Sequence, residues 1–366
     1  MATTSITYSD FQNIALAISG YVDEGYTTAK RINDTAIVGG DPQISVDGES
    51  FIGQLRWFKP LDAKFNTASL NDPTEGVRTG VSTQLSNYIK CVRTLGSEQV
   101  NLQEIVSGQN GLAKIARDWN IVRANHEDQS ILSVFKGITA HEVSRGTGIT
   151  GFDQDVNAVG GLFVDLNAAG AFGPAATDST DARRLIDSDL KGAARAERLF
   201  RAIGMGFKDH EPDYMYMITS PEILADLRSS NLVDETVVTE GNMTFNTIFG
   251  GKFRLLLTRS VQGNFSASPN VNAMSTKTTL LVKPGAISFT NIPIRVPVEI
   301  QRSAAKYTGG GSTDIWYRFG FVAHPEGYDW TGDTQRFADN ADLAVAGAWN
   351  RKYDYLNLNV LPIFHS

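Results

Sequence analysis

The run YRFGFVAHPEGYDW, residues 317–330, decides how this chain is read. Tyr317, Phe319, Phe321 and Val322 are bulky or β-branched, and Arg318 and Gly320 sit between them. That alternation predicts a half-buried strand. Pro325 cannot donate to a ladder and Gly327 favours a turn, so the strand should stop there. His324 lies at the exit. It is either a chemical group or a mark of architecture.

Working outward, the run closes a longer pattern. PVEIQRSAAKYTGGGSTDIWYRFGFVAHPEGYDW predicts two long strands around a Gly-rich turn. Before it, YMYMITS, FGGKFRLLLTRSV and TTLLVKPGAISFTNI supply strands with Gly-Gly and Pro-Gly turns. PEILADLRSSNLV reads as a helix with Pro221 at its first position and Ser220 as its cap. KGAARAERLFRAIGMGF (191–207) reads as a compact helix. The longest helical signal is NGLAKIARDWNIVRANHEDQSILSVFKGITAHEV, with apolar Leu112, Ile115, Trp119 and Val122, then Ile131, Phe135 and Ile138. Its polar middle, RANHEDQ, reads as a solvated face carrying an Arg123–Glu127 pair at i, i+4. FIGQLRWF and LSNYIKCVR predict a pair of strands, separated by about 25 polar residues rich in turn formers; a loop that long needs a purpose. Thr27 to Ser50 reads as an extended arm. The tail carries a short helix around Ala341 to Trp349 and an apolar end, YLNLNVLPIF. The sum is α+β, with segregated helices and mostly hairpin-linked strands.

Composition narrows the function. The 366 residues are 42% hydrophobic and carry a formal charge of −7. A surface that grips nucleic acid throughout would need clustered Lys and Arg, so this chain can enclose nucleic acid but not coat itself with it. One cysteine, Cys91, excludes an internal disulfide and reads as a small core residue. The first residues lack a basic, apolar leader, and no apolar run suits a membrane span, so synthesis in the cytosol is expected.

The chemical motifs are weak. GTGITG (146–151) follows a helix where a nucleotide fingerprint would follow a strand. DQDVN, from Asp153, opens like a calcium loop, but Ala158 and Val164 stand where Gly and Glu belong. His126, His141, His210, His324 and His365 show no metal-ligand spacing. Arg195, Arg198 and Arg201 share a helix face without interleaved aromatics and suit an intersubunit or solvent face. No catalytic, cofactor or metal residue is assigned.

In their order and spacing, GQLRWFKPLDAKFN, ARDWNIVRANHEDQSILSVFKGITA, KGAARAERLFRAIG, MYMITSPEILADLRSSNLVD, GGKFRLLLTRSV, LLVKPGAISF, PVEIQRSAAK and WYRFGFVAHPEGYDW resemble the major capsid protein of tailed bacteriophages, the Hong Kong 97 fold. The resemblance covers most of the chain. It implies an N-terminal arm (1–50), an extended loop over a neighbouring subunit (51–94), and a peripheral domain (95–190) with a spine helix at 112–143. It also implies an axial domain (191–289) and return strands with a C-terminal tail (290–366). In that frame His324, Pro325 and Gly327 form a structural strand end. The loop charges Arg56, Lys59, Asp62, Lys64, Asp72, Glu75 and Arg78 suit contacts that set register with a neighbour.

The resemblance further implies hexamers and pentamers in an icosahedral shell around double-stranded DNA, without sequence-specific binding. Scaffolding, portal and decoration proteins are the implied partners. No enzyme activity, cofactor or membrane is implied, and the location is the virion capsid, assembled in the host bacterial cytoplasm. Some relatives crosslink a loop lysine to an asparagine; Lys59 or Lys64 and Asn357 or Asn359 are the groups available, but no glutamate base is assignable and no crosslink is expected. No fused scaffolding segment is read before the arm, which leaves two expectations open: a separate scaffolding protein, or a segment outside this sequence. The rival readings are an encapsulin-type bacterial compartment, a cytosolic hydrolase or oxidoreductase, and a tail or baseplate protein.

Overall fold

A computed structural model describes residues 32–40, 44, 50–58, 81–101, 111–146, 148, 160–165, 213–229, 231–240, 243–258, 277–353 and 357–365. The N-terminal 31 residues, most of the loop after Phe58, the motifs at 149–159 and the helix expected at 191–207 lie outside this set.

The decisive run forms the centre of a five-stranded sheet. In chain order its strands are β1 (Val38–Gly39), β4 (Cys91–Val100), β11 (Ile287–Ile292), β12 (Val298–Ser303) and β13 (Ser312–Pro325). β13 is 14 residues long. Along one edge it pairs with β4 from Ser312↔Val100 to Phe321↔Cys91. Along the other, its first half pairs with β12 and its second with β11. The first half alternates, with Ile315, Tyr317 and Phe319 inward and Trp316 exposed. The second half, from Phe319 to Pro325, is buried throughout. Alternation therefore holds where one face is wet and fails where both are covered.

The long helix (Gly111–Ser144) crosses this sheet. Its stripe of Trp119, Ile131, Phe135 and Ile138 is buried, and Trp119 stacks on Tyr317 with ring centroids 5.6 Å apart. The polar middle overturns the expected solvated face. Arg123 and Glu127 are both buried, while Ile121 and Val122 are 52% and 44% exposed. Residues 119, 123, 127, 131, 135 and 138 step by three or four, so they share one face. The pair satisfies itself there, as described below.

The second sheet has seven strands in the order β5-β16-β10-β6-β9-β8-β7. These are β5 (Val164–Asp165), β6 (Met215–Thr219), β7 (Val233–Glu240), β8 (Met243–Ile248), β9 (Phe253–Leu257), β10 (Lys277–Val282) and β16 (Val360–His365). Every residue of β6 is buried, and so are Leu280, Leu281, Leu361 and Ile363 on the strands beside it. The helix Pro221–Ser229 follows β6 as the sequence predicts, but the cap differs. The Ser220 Oγ is buried without a partner, and the Ser220 carbonyl instead accepts from Leu224 N at 3.3 Å.

Three readings shift. β10 and β11 flank the Pro284–Gly285 turn but belong to different sheets, so this turn is a crossover and not a hairpin. The apolar tail is the strand β16, paired with β10 over six positions. The tail helix is shorter than expected, Asn340–Leu343, followed by a 3-10 turn at Ala346–Ala348 and a strand β15 (Trp349–Arg351) paired with β14 (Tyr328–Trp330). Residues 36–37 strap the crossover: Gly285 N donates to Ala36 O at 2.7 Å and Ile287 N to Ile37 O at 3.1 Å. Ala36 N in turn reaches the Tyr216 hydroxyl of the second sheet at 3.1 Å.

Candidate assembly surface

The two strands read at 51–94 form a hairpin, β2 (Ile52–Phe58) and β3 (Thr83–Ile89), paired without a bulge from Ile52↔Ile89 to Phe58↔Thr83. Its inner face sits on the body. Leu55 and Tyr88 are buried in a small cluster with Ile44 and Val322. Gly53 lies opposite Tyr88, and a Cβ there would fall 2.0 Å from the ring, so only glycine lets the tyrosine cross its partner strand. Asn87 N donates to Asp329 Oδ1 at 2.6 Å, and Lys352 Nζ reaches Asp329 Oδ2 at 3.3 Å. Trp57 meets Tyr353 edge to face at 4.4 Å, and Phe51 meets Phe337 at 4.8 Å. The hairpin root is thus fixed to residues 329–353.

The outer face is different. Phe58, Val81 and Leu85 are 71%, 69% and 49% exposed. Arg56 stands directly opposite Leu85 on this face and is exposed. Of the charges singled out in the sequence, only Arg56 falls in the described residues; Lys59, Asp62, Lys64, Asp72, Glu75 and Arg78 lie outside them. The apolar set was missed, although period-two alternation in IGQLRWF does put Phe58 on the side of Gln54 and Arg56.

A cavity of about 180 Å³ lies between hairpin and body, lined in part by Leu55, Trp57, Ser86, Ser288, His324 and Tyr353. His324 is 3% exposed and faces Ser288 across the ladder, between Tyr88 and Trp349. Burial holds its pKa down near 4, against a hydrogen bond with the Tyr328 backbone. Pro325 ends the ladder opposite Ile287. Gly327 turns the chain at φ +87°, and Lys352 N and Tyr353 N both donate to its carbonyl, at 2.9 and 3.1 Å.

Beneath the helix, Arg123 Nε meets Glu127 Oε1 at 3.1 Å. The same guanidinium donates to the Tyr317 hydroxyl and lies 5.2 Å over the Phe319 ring. Asn33 Nδ2 donates to Glu127 Oε2 at 2.9 Å. Burial, and after it the adjacent Asp128, push the Glu127 carboxyl up from its ordinary value, while the Arg123 guanidinium in contact with it favours the carboxylate. Cys91 is buried and its thiol is pushed up to about 11 by desolvation. Of the asparagines considered for a crosslink, Asn357 is exposed and Asn359 Nδ2 donates to Glu326 Oε2 at 2.9 Å. Among the described residues no cluster of His, Cys, Asp and Glu could hold a metal, and no helix is long and apolar enough to cross a membrane.

This is a phage capsid fold, mixed α+β and mostly sheet, as the sequence leads one to expect. In particular, the chain superposes on one from the capsid of Ralstonia phage GP4 with a TM-score of 0.52, covering 92% of this chain and 91% of that one at 12% identity. A chain of the Cyanophage Pam1 capsid asymmetric unit aligns with a TM-score of 0.46, 10% identity and coverage of 93% and 92%. No protein-family model and no curated protein sequence matches the chain.

Proposed function

We propose that this chain is the major capsid protein of a tailed bacteriophage and builds an icosahedral shell around double-stranded DNA from hexamers and pentamers of itself. The observation that carries the reading is the superposition on a phage capsid chain along almost the whole of both chains. The hairpin agrees with it: its root is fixed and its outer face is apolar and uncovered within one subunit. Such a surface finds burial on a sister copy. The role is structural rather than catalytic, the site of residence is the virion, and assembly takes place in the host bacterial cytoplasm. Residues 1–50 act as the arm, anchored to its own subunit at 32–39, and 51–94 as the loop that reaches a neighbour, rooted by Cys91 in the sheet, with the charges from Arg56 to Arg78 setting register. The spine helix at 112–143 belongs to a peripheral domain. Scaffolding, portal and decoration proteins are the further partners this role calls for.

Expression of the chain followed by negative-stain electron microscopy tests the reading. Closed shells or capsomer rings are expected, whereas a lasting monomer or dimer, with or without a scaffolding partner, sinks it. Shells filled with protein cargo in place of DNA would identify an encapsulin-type compartment instead. At residue level, Phe58→Asp combined with Leu85→Asp should leave the subunit folded and abolish assembly. Normal shells from that variant would remove the hairpin from the contact.

A further inference from the structure

Arg93 on β4 reaches across to the long helix and to the chain just before the short helix at Asn340. Its Nε donates to His126 Nε2 at 2.8 Å. Its Nη1 donates to Ala338 O at 2.7 Å and Val92 O at 3.1 Å, and its Nη2 to Asn340 Oδ1 at 3.2 Å. Ser130, one turn along the helix, closes the junction by donating to the same Asn340 Oδ1 at 2.8 Å. None of these acceptors is a carboxylate. Phe321 lies under the guanidinium, 5.7 Å from its carbon. One residue, Arg93, therefore holds three elements together through neutral acceptors.

The bond to His126 exists in only one protonation state. Nε2 accepts from Arg93, so the imidazole is neutral and its proton sits on Nδ1. A second proton would turn the acceptor into a donor and set two cations 2.8 Å apart. Among the described residues the surroundings offer no ready counter-charge. From β13, His126 meets the edge of Phe319 at 6.2 Å. Beyond Arg93, Asp342 is engaged by Arg336 at 2.7 Å, and Asp339 caps the short helix, accepting from Asp342 N at 2.8 Å. On the helix itself Arg123 and Glu127 face each other, and Asp128 Oδ1 accepts from Ile32 N at 3.2 Å. His126 is only partly buried, so protons reach it from solvent.

We propose that the Arg93–His126 contact is a proton-operated latch: protonation of His126 releases the middle of the long helix from β4 and from the Ala338–Asn340 segment. Burial, and after it the Arg93 charge, already hold this imidazole below its usual value of 6.5. The folded pKa is depressed, so the latch is closed above about 6.5 and is lost as the pH falls from there through the folded value. The latch lies within one subunit, so it stands or falls independently of shell assembly.

The test is hydrogen exchange of the full-length chain between pH 7.5 and 5, corrected for the chemical exchange rate and read by segment. In the wild type, opening of residues 91–100 and 120–131 should rise by up to about tenfold per pH unit within that window. In His126→Gln, whose amide oxygen can accept from Arg93, the rise in these segments should vanish. In His126→Lys, which carries a permanent charge, the segments should already be open at pH 7.5. His141 and His324 also charge in acid, and segment-resolved exchange separates their effect. The same pH course in wild type and His126→Gln, or a closed His126→Lys, overturns the latch. Should His126→Gln fail to fold, exchange at the imidazole C2–H of the wild type decides: a His126 midpoint at or above 6.5 refutes the proposal, and one clearly below supports it.

Discussion

Glu127→Ala tests the turned-in face of the long helix most directly. On a solvated face, an i, i+4 pair of this kind stabilises by about 0.3–0.5 kcal/mol. Here the two side chains are 9% and 1% exposed. Truncation leaves the Arg123 guanidinium buried with the Tyr317 hydroxyl and, at 3.4 Å, Asn291 Oδ1 as acceptors, and it strips Asn33 Nδ2 of its carboxylate. Removing one partner of a buried pair costs about 3–5 kcal/mol. The two geometries therefore differ roughly tenfold in predicted cost. Replacing both residues, Arg123→Met with Glu127→Leu, should recover most of the loss, because no unpaired charge remains and the desolvation that raises the Glu127 pKa disappears with the carboxyl. The assay is urea unfolding of the unassembled Phe58→Asp/Leu85→Asp subunit, followed by tryptophan fluorescence. Trp119 sits one turn from Arg123 and serves as a local reporter. Low and high salt should give the same difference, since a buried pair is poorly screened. A loss under 1 kcal/mol that fades with salt would refute the buried geometry.

His324 supplies a second test. Its folded pKa is depressed to about 4 from 6.5, so its contribution is intact above about 6.5 and is lost as the pH falls to about 4, amounting to about 3 kcal/mol. Urea midpoints of wild type and His324→Gln at pH 7.5 and 4.5 should show the smaller acid loss in the variant; equal losses would contradict the burial. Gly53→Ala should destabilise by about 1–3 kcal/mol through overpacking against Tyr88, and a joint Tyr88→Leu change should relieve most of it; additive costs in the double-mutant cycle would show that the two do not touch. Cys91, buried with its thiol near 11, should resist a thiol-specific reagent in native buffer and react fully in urea, and rapid native labelling would argue against its place in the core.

The parts read correctly from the sequence were those whose period stated their burial. Tyr317 to Trp330 declared a strand and its turn, and FIGQLRWF with LSNYIKCVR declared a two-stranded excursion, although LSNYIKCVR is divided at Lys90 between the end of β3 and the start of β4. The long helix was legible in extent but not in orientation. Counting Val122 as inward placed Arg123 and Glu127 outside, whereas the unbroken i, i+4 chain from Trp119 through Ile131 put them on the buried stripe. Aromatic rings on β13 make that stripe hospitable to a guanidinium, and no local pattern reveals them. β16 escaped notice because Pro362 argues against a sheet interior. It is tolerated because, among the described residues, β5 meets only Ile363 and Phe364, and the outer ladder begins just past it. Likewise, whether Pro284–Gly285 makes a hairpin or a crossover depends on distant partners, namely β6 and β16 for one strand and β13 for the other.

The length of β13 has a mechanical consequence. Ten consecutive positions pair it with β4, and twelve more pair its opposite edge with β12 and β11. A pull along this strand loads those rungs side by side and must shear them together. A pull across it would unzip them one after another. Tension transmitted along the strand axis therefore meets a stiff direction, whereas the crossing at Pro284–Gly285 is held by far fewer bonds, those of the 36–37 strap.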